Sequence, residues 1–453
     1  MVPSRPRRAG LRRALPFLSL VVLVPLVSLS LGPVLSASPW TRSPDIVALP
    51  SPTGVPPLPS PSDVLPISSP TDIPPTLAPS PSLRPPSTPD VSADVRMGGE
   101  LASSLATIRT EYAIPGVSVA ITFPDGTTWA GAGGFADIVA GTPVTPDTAF
   151  ALASLTKTFT SALILRLAEE GEVSLDATVR TYLPDLRIDP GITVRQLLDH
   201  TSGLADFFFD KAIDTALLAE PDRHWTEAEA LEYVDKSYFE PGRGWHYSNT
   251  NYLLLGVIAA RMGHAPLAEQ FRQRFLGPLG LDSAFYQPTE VARGPVAHGY
   301  RFDTGATDAP PIDLTGAGPI VPFASVVTAA GGAGGLAATA TDVARWARAL
   351  YGGDVLGAAS RQEMVDGGAR TARYRPFGAY GLGVQFLDIA GQPTVGHSGR
   401  LLGFRSAVRY LPEAGITIAV LTNQSRTDPG IIVDALLRIA MRAVHDCGCR
   451  TGR

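Results

Sequence analysis

Seventeen of the 51 residues from Pro39 to Pro89 are proline. Proline has no backbone N–H to give to a helix or a sheet ladder, so this stretch builds neither. Interleaved with Ser, Thr and Asp, it predicts an extended, semi-rigid spacer over residues 39–93. The spacer splits the 453-residue chain into a short front and a long body. In the front, residues 1–38, Arg5, Arg7, Arg8, Arg12 and Arg13 precede an apolar run from Ala14 to Leu35, broken by Pro16, Pro25 and Pro33. Small residues at Ser36, Ala37 and Ser38 offer a cleavage point, so this segment reads as an export signal. Its rival is an uncleaved membrane anchor with the basic side inside the cell. Both predict an extracytoplasmic protein, either secreted or tethered to a membrane. The body covers residues 94–446 and leaves a tail, 447–453, which holds both cysteines, Cys447 and Cys449. Cysteines two apart bridge only with strain. A disulfide scaffold and a cysteine nucleophile in the body are excluded.

The chain carries 37 basic and 42 acidic side chains, a formal −5. The five arginines of the front, with no acid among the first 13 residues, leave −10 on the rest. No nucleic-acid partner is expected of such a body, which lacks the basic excess that displaces counterions. No lysine follows a glycine, which removes the usual phosphate-binding loop. HExxH and GxSxG are absent, and the seven histidines are scattered. No metal and no cofactor are expected. Gly332–Gly335 makes a poor dinucleotide fingerprint and reads as a flexible turn into a helix capped by Thr339 and Asp342.

The body opens with a helix over Leu101–Tyr112, stopped by Pro115-Gly116. Strands follow over Val117–Phe123 and Thr127–Gly131, with Asp125-Gly126 as the hairpin turn. The middle, 150–350, is mostly helical with long loops. Strand patterns return at Val384–Ile389, Thr394–Ser398, Phe404–Leu411 and Thr417–Thr422, and an amphipathic helix over Ile431–Val444 closes the body. The expected fold is α+β: one antiparallel sheet built from both ends of the chain, flanked by N- and C-terminal helices, with a mostly helical inserted subdomain.

Only three lysines occur, Lys157, Lys211 and Lys236. Lys157 lies in a helix that is apolar nearly all round, Ser154–Gly171, three residues after Ser154. Positions three apart share a helix face, so Ser154 Oγ and Lys157 Nζ meet at the first turn. Burial lowers an amine's pKa and lets it take the hydroxyl proton. A helix N-terminus also offers N–H groups to an oxyanion. Next, Tyr247-Ser248-Asn249 sits on a loop before an apolar helix. Tyr247 shuttles a proton if lysine charge lowers its pKa. Asn249 either donates to a bound amide carbonyl or, like Asn251, caps the helix. Third, His397-Ser398-Gly399-Arg400 ends a strand along which a peptide can pair.

Taken alone, each piece has a plain structural reading. In this order, on a helix start, a loop and a strand end, the set resembles the penicillin-recognising serine hydrolases. It is most similar to the branch holding class C β-lactamases, secreted D-alanyl-D-alanine carboxypeptidases and related esterases. Ile114-Pro115-Gly116-Val117, His200-Thr201-Ser202-Gly203-Leu204 and Gly403-Phe404 agree with it. The resemblance implies a β-lactamase/transpeptidase-like fold with Ser154 as nucleophile and Lys157 and Tyr247 handling the proton. Asn249, His397, Ser398, Gly399 and Arg400 then bind substrate, and the backbone N–H groups of Ser154 and Arg400 form the oxyanion hole. It makes His200 a structural turn, and puts His397 where many members carry lysine, which leans towards carboxypeptidases and esterases. Arg400 and Arg405 are candidate partners for a substrate carboxylate. The segment Asp206–Trp225, with Phe207, Phe208 and Phe209, forms a lid or fills core. The implied function is an exported D-alanyl-D-alanine carboxypeptidase-type peptidase on cell-wall stem peptides, acylated also by β-lactams. An esterase or weak β-lactamase with the same residues is the near alternative, and an inactive wall-binding protein the distant one.

Overall fold

The computed structural model describes residues 91–302, 311–316, 318–373 and 378–447. Residues 1–38, positions 39–90 of the expected spacer and positions 448–453 lie outside the described residues; positions 91–93, read as spacer, are helical. Among the described residues no helix is long and apolar enough to cross a membrane.

Helix α1 runs over Val91–Glu111, ten residues longer at its start than the sequence suggested, because Gly98 and Gly99 hid a helix that continues through them. Strands β1 (Gly116–Thr122) and β2 (Thr128–Asp137) form the expected hairpin. After the short β3 (Thr142–Pro143), the chain leaves the sheet for the helical middle. It returns as β4 (Ala379–Tyr380), β5 (Gln385–Ile389), β6 (Gln392–Leu401), β7 (Phe404–Leu411) and β8 (Ile416–Thr422). The eight strands are antiparallel in the order β3-β2-β1-β8-β7-β6-β5-β4. Both ends of the chain therefore meet at β1–β8, where Val117 pairs with Thr422.

Strands β1 and β8 are buried along their whole length, which is why they read as nearly unbroken apolar runs rather than alternating ones. On one face Val117, Val119, Ile121, Ile418 and Val420 pack under α1 and the last helix, α5 (Gly430–Cys447). On the other face smaller or shaped side chains, Ala120, Ala419, Leu421 and Val408, meet the helical middle. That middle centres on α2 (Thr156–Glu169), α3 (Asn249–Met262) and α4 (Ala340–Gly352). Thr339 caps α4 by accepting from the Asp342 N–H, as expected. Phe207 and Phe208 are buried with Ile213, Leu217 and Leu253; only Phe209 is exposed. Two of the three phenylalanines thus fill core rather than form a lid.

Candidate active site

Ser154 stands at a sharp bend. Ala153 before it has φ +51°, in the left-handed region that costs an alanine about 1–2 kcal/mol. A single 3₁₀ turn, Ala153–Leu155, then runs into α2. The bend leaves Ser154 partly accessible while Leu152, Ala153 and Leu155 are buried. Strand β6 lies against this bend at Gly399. A Cβ there would sit 2.3 Å from the Leu152 carbonyl oxygen and 2.3 Å from Ser406 Oγ. Ser406 itself donates to the Leu152 carbonyl at 2.7 Å, tying β7 to the bend as well. Glycine is required at 399 by this approach.

Lys157 is fully buried. Its Nζ lies 3.1 Å from Ser154 Oγ, 2.7 Å from Asn249 Oδ1 and 2.8 Å from the Ala333 carbonyl oxygen. Loss of hydration lowers its pKa from 10.5 to about 7, against an opposing pull from the Asp206 carboxylate. A neutral amine has two N–H bonds and one lone pair. The two carbonyl oxygens can only accept, so they take the N–H bonds, and the lone pair faces the one hydroxyl that can donate, Ser154. The arrangement can therefore draw the proton off Ser154. The neutral fraction of Lys157 rises with pH through about 7, so acylation of Ser154 is expected to rise through the same range. A stopped-flow pH profile checks this; a limb lying near the ordinary lysine value would mean that Nζ stays charged.

Tyr247 closes the other side. Its ring centroid is 5.0 Å from Lys157 Nζ. The condition for it to shuttle a proton, a pKa lowered by lysine charge, is not met. Burial pushes the phenol well above its usual range, with only the Ser154 hydroxyl pulling the other way. The physical cause is the burial of the phenol itself, and the nearby Asp206 carboxylate pushes in the same direction. Tyr247 is thus a neutral phenol, suited to donate a proton rather than to accept one. His200 stacks behind it at 4.4 Å between centroids. His200 has φ +63°, and its Nδ1 accepts from the Ser248 N–H at 3.2 Å, the structural turn the resemblance implied.

Neither asparagine caps α3. Asn251 bonds to Ser202 and His200. Asn249 accepts from Lys157 at Oδ1 and donates one N–H to Asp206 Oδ2 at 2.8 Å.

On β6, His397 is completely buried, with Nε2 2.9 Å from the Tyr380 hydroxyl and Nδ1 2.7 Å from the Ser398 carbonyl. A carbonyl can only accept, so Nδ1 carries a proton. Ser398 gives both its N–H and its hydroxyl to Gln385 Oε1, which a buried Arg409 also reaches at 3.1 Å. Arg400 and Arg405 pair across β6–β7. Arg405 donates to the Ser425 carbonyl and lies 3.6 Å from Asp428, so it is committed to the protein rather than free for a substrate carboxylate.

Three contributors escaped the sequence reading: Asp206, the Ala333 carbonyl and Tyr380. The Ala333 carbonyl comes from the Gly332–Gly335 segment, which is buried against α2 and α3 rather than being a flexible turn. A Cβ at Gly332 would meet the Tyr252 carbonyl oxygen at 2.8 Å. Thr160 also donates to the Gly332 carbonyl at 2.7 Å. A titratable cluster also exists elsewhere, at Asp137, His298 and Asp313, where His298 Nδ1 bonds to Asp313 at 2.8 Å.

An antiparallel sheet with helices on both faces, and a serine, a buried lysine and a tyrosine gathered between sheet and helical middle, define a serine hydrolase of the penicillin-recognising kind. The family model for beta-lactamase matches residues 101–440, and the chain belongs to that family. Penicillin-binding protein 4 of Amycolatopsis lactamdurans is 32% identical over 332 residues, 70% of this chain and 82% of that protein. Esterase EstB of Burkholderia gladioli is 31% identical over 319 residues, 64% of this chain and 81% of the esterase. Among solved structures, the D-amino acid amidase of Ochrobactrum anthropi SV3 complexed with L-phenylalanine amide superposes with a TM-score of 0.65 at 27% identity, over 78% of this chain and 99% of that one.

Proposed function

We propose that this chain is an extracytoplasmic acyl-transfer hydrolase that cleaves peptides ending in D-alanyl-D-alanine or a closely related D-amino-acid amide. Ser154 attacks the carbonyl, Lys157 takes its proton, Tyr247 gives its own proton to the leaving amine, and the proton held on Lys157 then restores the Tyr247 phenol. Water then repeats the sequence on the acyl-enzyme. The carrying observation is the set of three oxygens around Lys157 Nζ: two carbonyl oxygens take its N–H bonds, which directs the amine lone pair at the Ser154 hydroxyl. Asn249 offers its remaining N–H to the substrate amide, and Gly399 and Arg400 lie beside the bend on the part of β6 that runs past the residues paired with β5. The backbone N–H groups of Ser154 and Arg400 complete the oxyanion hole; one such donor is worth roughly 3–4 kcal/mol in other hydrolases. The similarity to penicillin-binding protein 4 supports the peptidase reading. The esterase of similar identity favours a second reading, in which the leaving group is an alcohol and the same residues act. The complete set of Ser154, Lys157 and Tyr247 speaks against a binding protein without activity. The arginine-rich, apolar front supports a place outside the cytoplasm, secreted or membrane-tethered.

The test is an intact-mass time course with benzylpenicillin, beside a Ser154→Ala control. A persistent adduct on the unaltered chain alone is expected, because a peptidase of this kind deacylates slowly. No adduct with the drug left intact would overturn the penicillin-recognising reading. Rapid loss of the drug without an adduct would make the protein a β-lactamase.

A further inference from the structure

Asp206 is buried at 3% exposure between Lys157 and the apolar cluster of Phe207 and Phe208. A carboxylate so placed is costly unless it is bonded, and this one is held from several sides. Its Oδ1 accepts from the Phe208 N–H at 3.1 Å, and its Oδ2 accepts from Asn249 Nδ2 at 2.8 Å. Its backbone N–H donates to the Tyr238 hydroxyl at 3.3 Å. The next residue, Phe207, donates its N–H to Thr250 Oγ1 on α3 at 3.1 Å. Asp206 therefore cannot swing away from Asn249 without dismantling the start of its own 3₁₀ turn.

Asn249 has two unlike ends, and which of them meets Lys157 decides what Lys157 can do. With Oδ1 inward, the amide takes one N–H of a neutral amine. With Nδ2 inward, it would compete with Ser154 for the lone pair. Burial raises the Asp206 carboxyl to about 6; above that pH it is ionised and has no hydrogen to give, so it accepts only the NH₂ end and turns Asn249 Oδ1 to Lys157. With the Ala333 carbonyl holding the other N–H, the lone pair has one direction left, towards Ser154.

We propose that Asp206 is a positioning residue of this site: it fixes the Asn249 amide so that the lone pair of Lys157 is aimed at the Ser154 hydroxyl. The proposal rests on Ser154 being the nucleophile. Asp206 acts through Asn249 and touches no reacting atom. It also acts by charge. The titratable groups facing Lys157 are Tyr247 from its loop, Tyr252 from α3 at 5.5 Å between Nζ and ring centroid, and Asp206. Burial keeps both phenols neutral, so Asp206 alone of these brings a charge that favours protonated lysine. Facing Asp206 in turn are Lys157 and the hydroxyl of Tyr238, itself held neutral by partial burial.

The two effects separate by substitution. Asp206→Asn keeps an oxygen that can accept from Asn249 but removes the charge. Asp206→Ala removes both. The probe is p-nitrophenyl acetate, which reports acylation whatever the natural substrate is. The readout is the pre-steady-state burst of the full-length protein between pH 5 and 9, with Ser154→Ala as control and a thermal melt for each variant. Asp206→Ala is expected to lower the high-pH plateau roughly 10–100-fold, the scale of a misplaced catalytic group. Asp206→Asn is expected to recover most of that plateau while its acid limb moves to lower pH, because Lys157 then gives up its proton more easily. If both variants keep the plateau and the limb of the unaltered protein, the proposal is wrong. It is equally wrong if both lose activity alike with the limb unmoved, which is what a purely structural role would give. Should Asp206→Ala fail to fold, the limb of Asp206→Asn decides. A burst that survives in Ser154→Ala sinks the nucleophile assignment, and the role of Asp206 with it. A burst lost in Ser154→Ala but unchanged in the Asp206 variants sinks only the latter.

Discussion

Arginine in place of Lys157 is expected to slow acylation of Ser154 by roughly 10²–10⁴-fold, the usual worth of a positioned base. The substitution keeps a cation and removes the lone pair, since a guanidinium stays protonated in proteins. It therefore asks whether Lys157 serves as a charge or as a base. The surroundings answer for a base: full burial lowers the amine towards neutrality, and two carbonyl oxygens are arranged to take the N–H bonds of a neutral amine. A guanidinium is also larger than the space Nζ occupies, so a companion variant is needed. Lys157→Met fits the stem but leaves the Asn249 and Ala333 oxygens without their donor, about 1–3 kcal/mol of stability for each unsatisfied group. Both variants should lose acylation to a similar extent while differing in melting temperature. An arginine variant within tenfold of the unaltered enzyme would show that charge suffices and that the proton leaves by another route.

The second large effect is expected at Gly399. An added methyl would overlap the Leu152 carbonyl oxygen and Ser406 Oγ at 2.3 Å each. Ser406 can rotate; the Leu152 carbonyl is backbone and cannot move without disturbing the bend that carries Ser154. Strand β6 must then stand off from the bend. A displacement near 1 Å at a catalytic group costs on the order of 10²-fold in rate, so Gly399→Ala is expected to lose about that much in kcat/KM. The fold should lose only the 1–3 kcal/mol typical of overpacking. Pairing Gly399→Ala with Ser406→Ala removes one of the two overlaps and should recover part of the loss. An unchanged kcat/KM in the single variant would mean that β6 does not have to press on the nucleophile bend.

Much of the architecture was legible because the hydrophobic periods were clean. The strands at the two ends of the body alternate or run apolar as sheet positions demand, and they pair as one sheet. Ser154 and Lys157 were legible because three residues on a helix place two side chains together whatever surrounds them. What stayed hidden depends on partners far along the chain. Asp206 acts through Asn249, 43 residues away, and in the sequence it only heads a run of phenylalanines. An acid set directly against such a run was the available signal, since a buried carboxylate beside apolar residues needs a partner. The Ala333 carbonyl carries no signature, because any residue supplies a backbone oxygen. The direction of the Tyr247 shift was hidden for a different reason: it is set first by the burial of the phenol itself, and burial is a property of the assembled fold. The start of α1 was obscured by two adjacent glycines, which lower helix propensity but do not forbid it.

The pairing of β1 with β8 has a consequence for how the protein comes into being. Strand β1 is made long before β8, the neighbour it waits for. Strand β6, which faces the Ser154 bend, is joined to β1 only through β7 and β8. A nascent chain thus holds the Ser154 bend and α2 but lacks the strand that completes the site. Activity should arrive late and all at once, after β8 has emerged, and a chain shortened before β8 should be inert. Contacts so distant in sequence form slowly. The interval during which the edge of β1 is uncovered is the period in which this protein is most exposed to aggregation and proteolysis.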